Sequence, residues 1–86
     1  MTDQEITRLC AQAMFDALEW EQRLFEYAPL TDDAQAMQMV KQLKLYVAPD
    51  QNGWDVGPEN TDGKAVKNQN LNRAICECVA QMQAAK

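Results

Sequence analysis

At 86 residues, 47% of them hydrophobic and 24% charged, the chain has room for one core and no second domain. Its formal net charge is −5 and it has no dense basic cluster, so it repels a phosphate backbone and its composition argues against a nucleic-acid partner. It contains no His and no Ser, which removes Ser-His-Asp and Cys-His nucleophilic pairs, His bases and His-containing metal sites, and no apolar run nears the roughly 18–20 residues of a membrane span.

Met1 to Cys10 mixes charges of both signs without a hydrophobic stretch, so no signal peptide is expected and the cytoplasm is the expected compartment. Cys10, Cys76 and Cys78 agree, since an odd number of cysteines with two in a helical pattern is no disulfide framework. The charge is unevenly placed. Asp16 to Asp33 carries six acids against Arg23 alone, and Asp50 to Asp62 adds four more.

Thr2-Asp3-Gln4-Glu5 reads as a capping box, followed by Ile6, Leu9, Cys10, Ala13, Met14, Ala17 and Leu18 at helical spacing. No Gly or Pro interrupts before Pro29, so this pattern predicts an N-terminal helix over about 3–25. Pro29 pushes Ala28 out of the helical region, Thr31 is the N-cap candidate, and Asp32 and Asp33 would sit in a first turn that favours negative charge. A second helix then runs to about Lys44, with Ala36, Met37, Val40 and Leu43 on its inner face and Gln35, Gln38, Lys41 and Gln42 outside. Leu45 to Ala48 and Trp54 to Val56 flank Asn52-Gly53 and predict a hairpin, its loop longer than the two-residue type; Gly57-Pro58 ends it. Glu59 to Gly63 reads as loop and Lys64 to Lys67 as a third-strand candidate. Leu71, Ala74, Ile75, Cys78, Val79 and Met82 form an apolar helical stripe capped by Asn70, or by Asn68. The order is α-α-β-β-(β)-α, an α+β domain of two or three helices on a small antiparallel sheet.

Four motifs fail on geometry. Cys76 and Cys78 lie at i and i+2 of a helix, about 200° apart, and so do not share a metal. Asp50 to Asp55 resembles a calcium loop, but its glycine comes at the fourth position rather than the sixth and Thr61 stands where a bidentate Glu is needed. Gly57 to Lys64 resembles a phosphate loop, but the spacing is one residue too long and Ala65 replaces the Ser/Thr. Asp32 and Asp33 diverge by about 100°, so capping rather than catalysis accounts for them. No catalytic residue, cofactor or metal is expected.

Phe15, Trp20, Phe25 and Tyr27 stand apart: four of the six aromatics lie within 13 residues, interleaved with Asp16, Glu19, Glu21 and Glu26. They cover the sheet, or they form a surface for a partner or a second copy. On the surface reading, Trp20 and Phe25 are the expected pair.

Tyr27 to Met37 (YAPLTDDAQAM), Val40 to Leu43 (VKQL), Gly53 to Val56 (GWDV) and Asn70 to Gln83 (NLNRAICECVAQMQ) together resemble the phage ABA-sandwich domain, found in small proteins of tailed phages and prophages of enteric bacteria. The likeness covers about 27–83, and the final helix and the Pro-Leu-Thr-Asp-Asp start are its most specific parts. It implies a helix–sheet–helix sandwich in the cytoplasm of a bacterial host, and it carries no assigned activity or site residues. The expectation is a non-enzymatic accessory protein that binds a host or phage protein. Two alternatives remain open: a homo-oligomeric module whose long first helix packs on its copy, and an acidic DNA mimic that occupies the basic groove of a host nucleic-acid-binding protein.

Overall fold

In a computed structural model, which describes residues 1–59 and 65–85, the first helix starts on its predicted cap: the Glu5 amide donates to the Thr2 hydroxyl at 3.2 Å. This helix, α1, spans Asp3–Met14 and stops there, because Phe15 takes extended backbone at φ −121° and ψ 158°. The expectation of one N-terminal helix over 3–25 is therefore corrected to α1, a turn, and a single helical turn α2 at Trp20–Arg23. Ala17 and Leu18, expected on the core face, are exposed. The cause is the position of the partners: Ile6, Cys10 and Ala11 already bury the face of α1, and the break lets the Phe15 ring turn to Tyr27.

The next helix, α3, spans Asp33–Leu43, and its cap is Asp32 rather than Thr31. The Gln35 amide donates to Asp32 Oδ1 at 3.1 Å, while the Thr31 hydroxyl donates back to the Ala28 carbonyl at 3.3 Å. Lys44, at φ 55°, closes the helix in the left-handed conformation that ends many helices. Ala36 and Met39 are buried, with Val40 and Leu43 packed beside them. Met37, expected inside, is exposed, because the buried face follows 36, 39, 40 and 43 and Met37 lies about 100° round from Ala36.

Three antiparallel strands follow in the order β1-β2-β3: β1 Leu45–Asp50, β2 Gly53–Pro58 and β3 Val66–Asn68. The register pairs Leu45 with Pro58 and Asp50 with Gly53, leaving only Gln51 and Asn52 in the turn. The expected longer loop is thus a two-residue turn, and Pro49 and Gly57-Pro58 lie inside the strands. Pro49 is tolerated because β1 is an edge strand. Gly53 adopts φ 149°, and a Cβ there would overlap the Asn68 carbonyl. The third strand begins at Val66; Lys64 and the expected loop residues 60–63 lie outside the described residues.

Val56 is fully buried and pairs with Val47 on one side and Val66 on the other. Asn68, on the same face, donates from Nδ2 to Glu77 Oε1 at 3.0 Å, so this face meets the last helix. That helix, α4, spans Leu71–Ala84 and is capped by Asn70, whose Oδ1 accepts from the Arg73 amide at 3.0 Å. It lies between α1 and the sheet, with α3 touching both α4 and β1. Its burial therefore runs well beyond the predicted stripe: Ala74, Ile75, Cys76, Cys78, Val79 and Ala80 are all buried, while Leu71 and Met82 are half-buried. Cys76, which the stripe leaves out, is fully buried because α1 covers that side. The α+β class is the one expected, and the order is α-α-α-β-β-β-α, which is the expected order with the single turn α2 added where the first helix breaks. The described layers run sheet, α4 with α3, then α1, so the helices stack on one side of the sheet and the expected helix–sheet–helix sandwich is corrected to that arrangement. No helix among the described residues is long and apolar enough to cross a membrane.

Candidate interaction surface

Beyond Phe15 the chain leaves the core and returns at Tyr27. The turn is fixed by the Asp16 carbonyl, which accepts from the Glu19 and Trp20 amides at 2.9 and 3.1 Å. Its two ends are tied by the rings of Phe15 and Tyr27, edge to face at 5.2 Å and 75°. Gln35 ties the far end to α3: its Oε1 accepts from the Ala28 amide at 2.7 Å and its Nε2 donates to the Glu26 carbonyl at 3.2 Å. An anchored excursion of this kind holds its shape without burying its middle.

The four aromatics accordingly divide. Tyr27 is buried, and Phe15 is partly buried against the core. Trp20 is half-buried and packed on the core, so of the expected pair Phe25 alone is fully exposed. Phe25 is 97% exposed, and Leu18 on the same excursion is 89% exposed. A hollow of about 390 Å³ opens between α1 and α2, lined by Arg8, Trp20, Glu21, Leu24 and Phe25. A wider depression of about 790 Å³ shares Arg8 and Leu24 and continues to Thr2, Asp3 and Glu5. Sequence reasoning missed Arg8, Leu18 and Leu24. Leu24 was findable, since it stands at i+4 from Trp20 and shares its face; Leu18 was hidden by the unrecognised break in the helix.

The electrostatics separate this surface from the buried groups. The Arg23 guanidinium sits over the Phe15 ring, 5.9 Å from its centre, within cation–π range. Arg73 bridges the start of α1 to α4 through Asp3 at 2.8 Å, with Glu77 at 3.9 Å, and Asp3 holds its guanidinium above its ordinary pKa. All three cysteines are free and buried. The Cys10 thiol, donating to the Cys76 carbonyl at 3.4 Å, is held well above its usual range by hydrogen bonding to Cys76 and then by burial. Burial pushes Cys78 up to about 11, and it raises the Tyr27 hydroxyl as well. Thiols kept protonated are poor nucleophiles and poor metal ligands.

The remaining motif residues have structural partners. Asp32 caps α3, and Asp33 Oδ1 accepts from Asn72 Nδ2 at 2.6 Å. Asp50 accepts from the Gln51 amide at 2.8 Å and faces Lys67 of β3 at 3.8 Å across the intervening strand β2. Gly63 and Lys64 of the phosphate-loop candidate lie outside the described residues. Among the described residues, no group of three or more Cys, Asp or Glu is placed to hold a metal. What defines the chain is a small α+β domain bearing one anchored, acidic, partly apolar excursion. In comparisons with family models, curated proteins and solved structures, nothing matches it.

Proposed function

We propose that the chain is a non-enzymatic accessory protein, of the phage or prophage kind that its resemblance suggests, and that it acts by binding another protein through residues 16–26. One observation carries this reading: Phe25 is 97% exposed on a backbone pinned at both ends. Ordering an aromatic in water gains no burial, whereas a rigid aromatic beside a hollow loses little entropy when a partner covers it. Trp20 and Leu24, half-buried at the hollow, extend the apolar contact inward.

The test compares wild type with Phe25→Ala. Tagged protein retains one partner from bacterial lysate, the purified partner rebinds, and Phe25→Ala loses it while melting at the wild-type temperature. A partner retained equally by both forms removes residues 16–26 from the reading. A dimer in sedimentation that Phe25→Ala dissolves moves the function to self-association.

A further inference from the structure

We infer that the trough beside Phe25 takes a basic segment of its partner, rich in Lys or Arg and carrying one aliphatic anchor; this rests on the protein-binding reading above. The hollow at Trp20, Leu24 and Phe25 and the depression at Asp3 and Glu5 share Arg8 and Leu24, so they adjoin across these two side chains and are taken together as one trough. Its apolar lining is Trp20, Leu24 and Phe25. Its ends carry carboxylates, Glu21 at one and, at the other, Glu5 beside Asp3, which is already paired with Arg73.

Charge selects the occupant. Of the charged side chains that line the trough, Asp3, Glu5 and Glu21 are acids and Arg8 is the one base, and the neighbouring segment 16–33 adds five further acids against Arg23. A second copy would bring its own net charge of −5 to the same face, and an anionic lipid surface would be repelled likewise. A basic segment meets complementary potential at the two ends of the trough, which speeds encounter and sets its register. Arg8, at the middle, repels a cation directly above it. It thereby places the partner's apolar side chain over Leu24 and its cations over the two acidic ends.

The experiment is an amide NMR titration of the full chain with three peptides of equal length: an amphipathic Leu/Lys peptide, its Leu/Glu counterpart, and an all-Lys peptide. The Leu/Lys peptide shifts Arg8, Leu24, Phe25 and the Trp20 indole, with all-Lys weaker and Leu/Glu silent. Phe25→Ala raises its Kd about tenfold or more, and raising salt from about 50 to about 300 mM weakens it severalfold. Failure of the Leu/Lys peptide to bind, shifts confined to other faces, or a Kd indifferent to Phe25→Ala overturns the inference. Occupation of the trough by the Leu/Glu peptide also overturns it, yet leaves the docking surface standing. A Phe25-dependent dimer overturns the inference and makes the surface one for a second copy.

Discussion

Tyr27 and Phe25 are two residues apart and should respond oppositely to truncation. Tyr27 is 7% exposed and its ring meets Phe15 edge to face. Tyr27→Ala should therefore cost about 3–5 kcal/mol, as large-to-small changes of buried aromatics do. Of that, about 0.5–1.5 kcal/mol belongs to the aromatic pair itself. A domain of this length has a total stability of about 4–13 kcal/mol, so the variant should melt at least about 12 °C lower. Phe25→Ala removes a ring that is 97% exposed and should stay within about 0.5 kcal/mol of wild type. Urea and thermal melts followed by circular dichroism give both numbers, and a Phe15→Leu/Tyr27→Leu double-mutant cycle isolates the pair. A Phe25→Ala variant that loses 2 kcal/mol or more (roughly the cost of a buried side chain), or a Tyr27→Ala variant that melts with wild type, would refute the division of the segment.

Gly53→Ala should destabilise by several kcal/mol, because the side chain meets both the left-handed φ and the Asn68 carbonyl; a variant as stable as wild type, or more stable by up to about 1 kcal/mol as at a site that accepts Ala without strain, would show that the tight turn is wrong. Stability should also fall at alkaline pH. Cys78, pushed up to about 11, with Cys10 and Tyr27 raised in the same direction, keeps its proton in the fold after the unfolded chain has released it. That contribution is whole below the unfolded thiol value of about 8.5 and declines as pH rises toward the folded value. Urea melts across this range check it, with Cys78→Ala expected to reduce the slope; a flat profile to pH 10.5 (about two units above a free thiol) would contradict the burial.

The sequence was most readable where local chemistry decides structure. Asn70 as cap, the stripe through Ile75 and Cys78, and the hairpin at Gly53 all depend on residues within one turn or one strand. The misses have a common cause in contacts remote along the chain. Nothing local ends α1 at Met14; the Phe15–Tyr27 ring pair and the α1–α4 packing do. Cys76 reads as off-stripe because a helical stripe presumes one buried face, and α4 is covered on two sides. Asp32 rather than Thr31 caps α3 because Pro29 and the Ala28 carbonyl set the preceding turn, and those hydrogen bonds leave no residue-level signature. At the candidate surface, the aromatic cluster was visible as a cluster, but which rings turn inward followed from where the chain broke.

The central place of α4 also sets the timing of folding. It is the last element in chain order, yet Cys10 donates to Cys76 across 66 positions and Arg73 reaches Asp3 across 70. On the ribosome, Ile6, Cys10, Ala11 and the inner face of the hairpin lack their main cover until residues 71–84 emerge. Closure is thus a late event dominated by long-range contacts, the regime in which folding is slow and a nascent chain exposes apolar surface. In cells, the chaperone demand of this small protein should concentrate in the interval between the hairpin leaving the ribosome and α4 joining it.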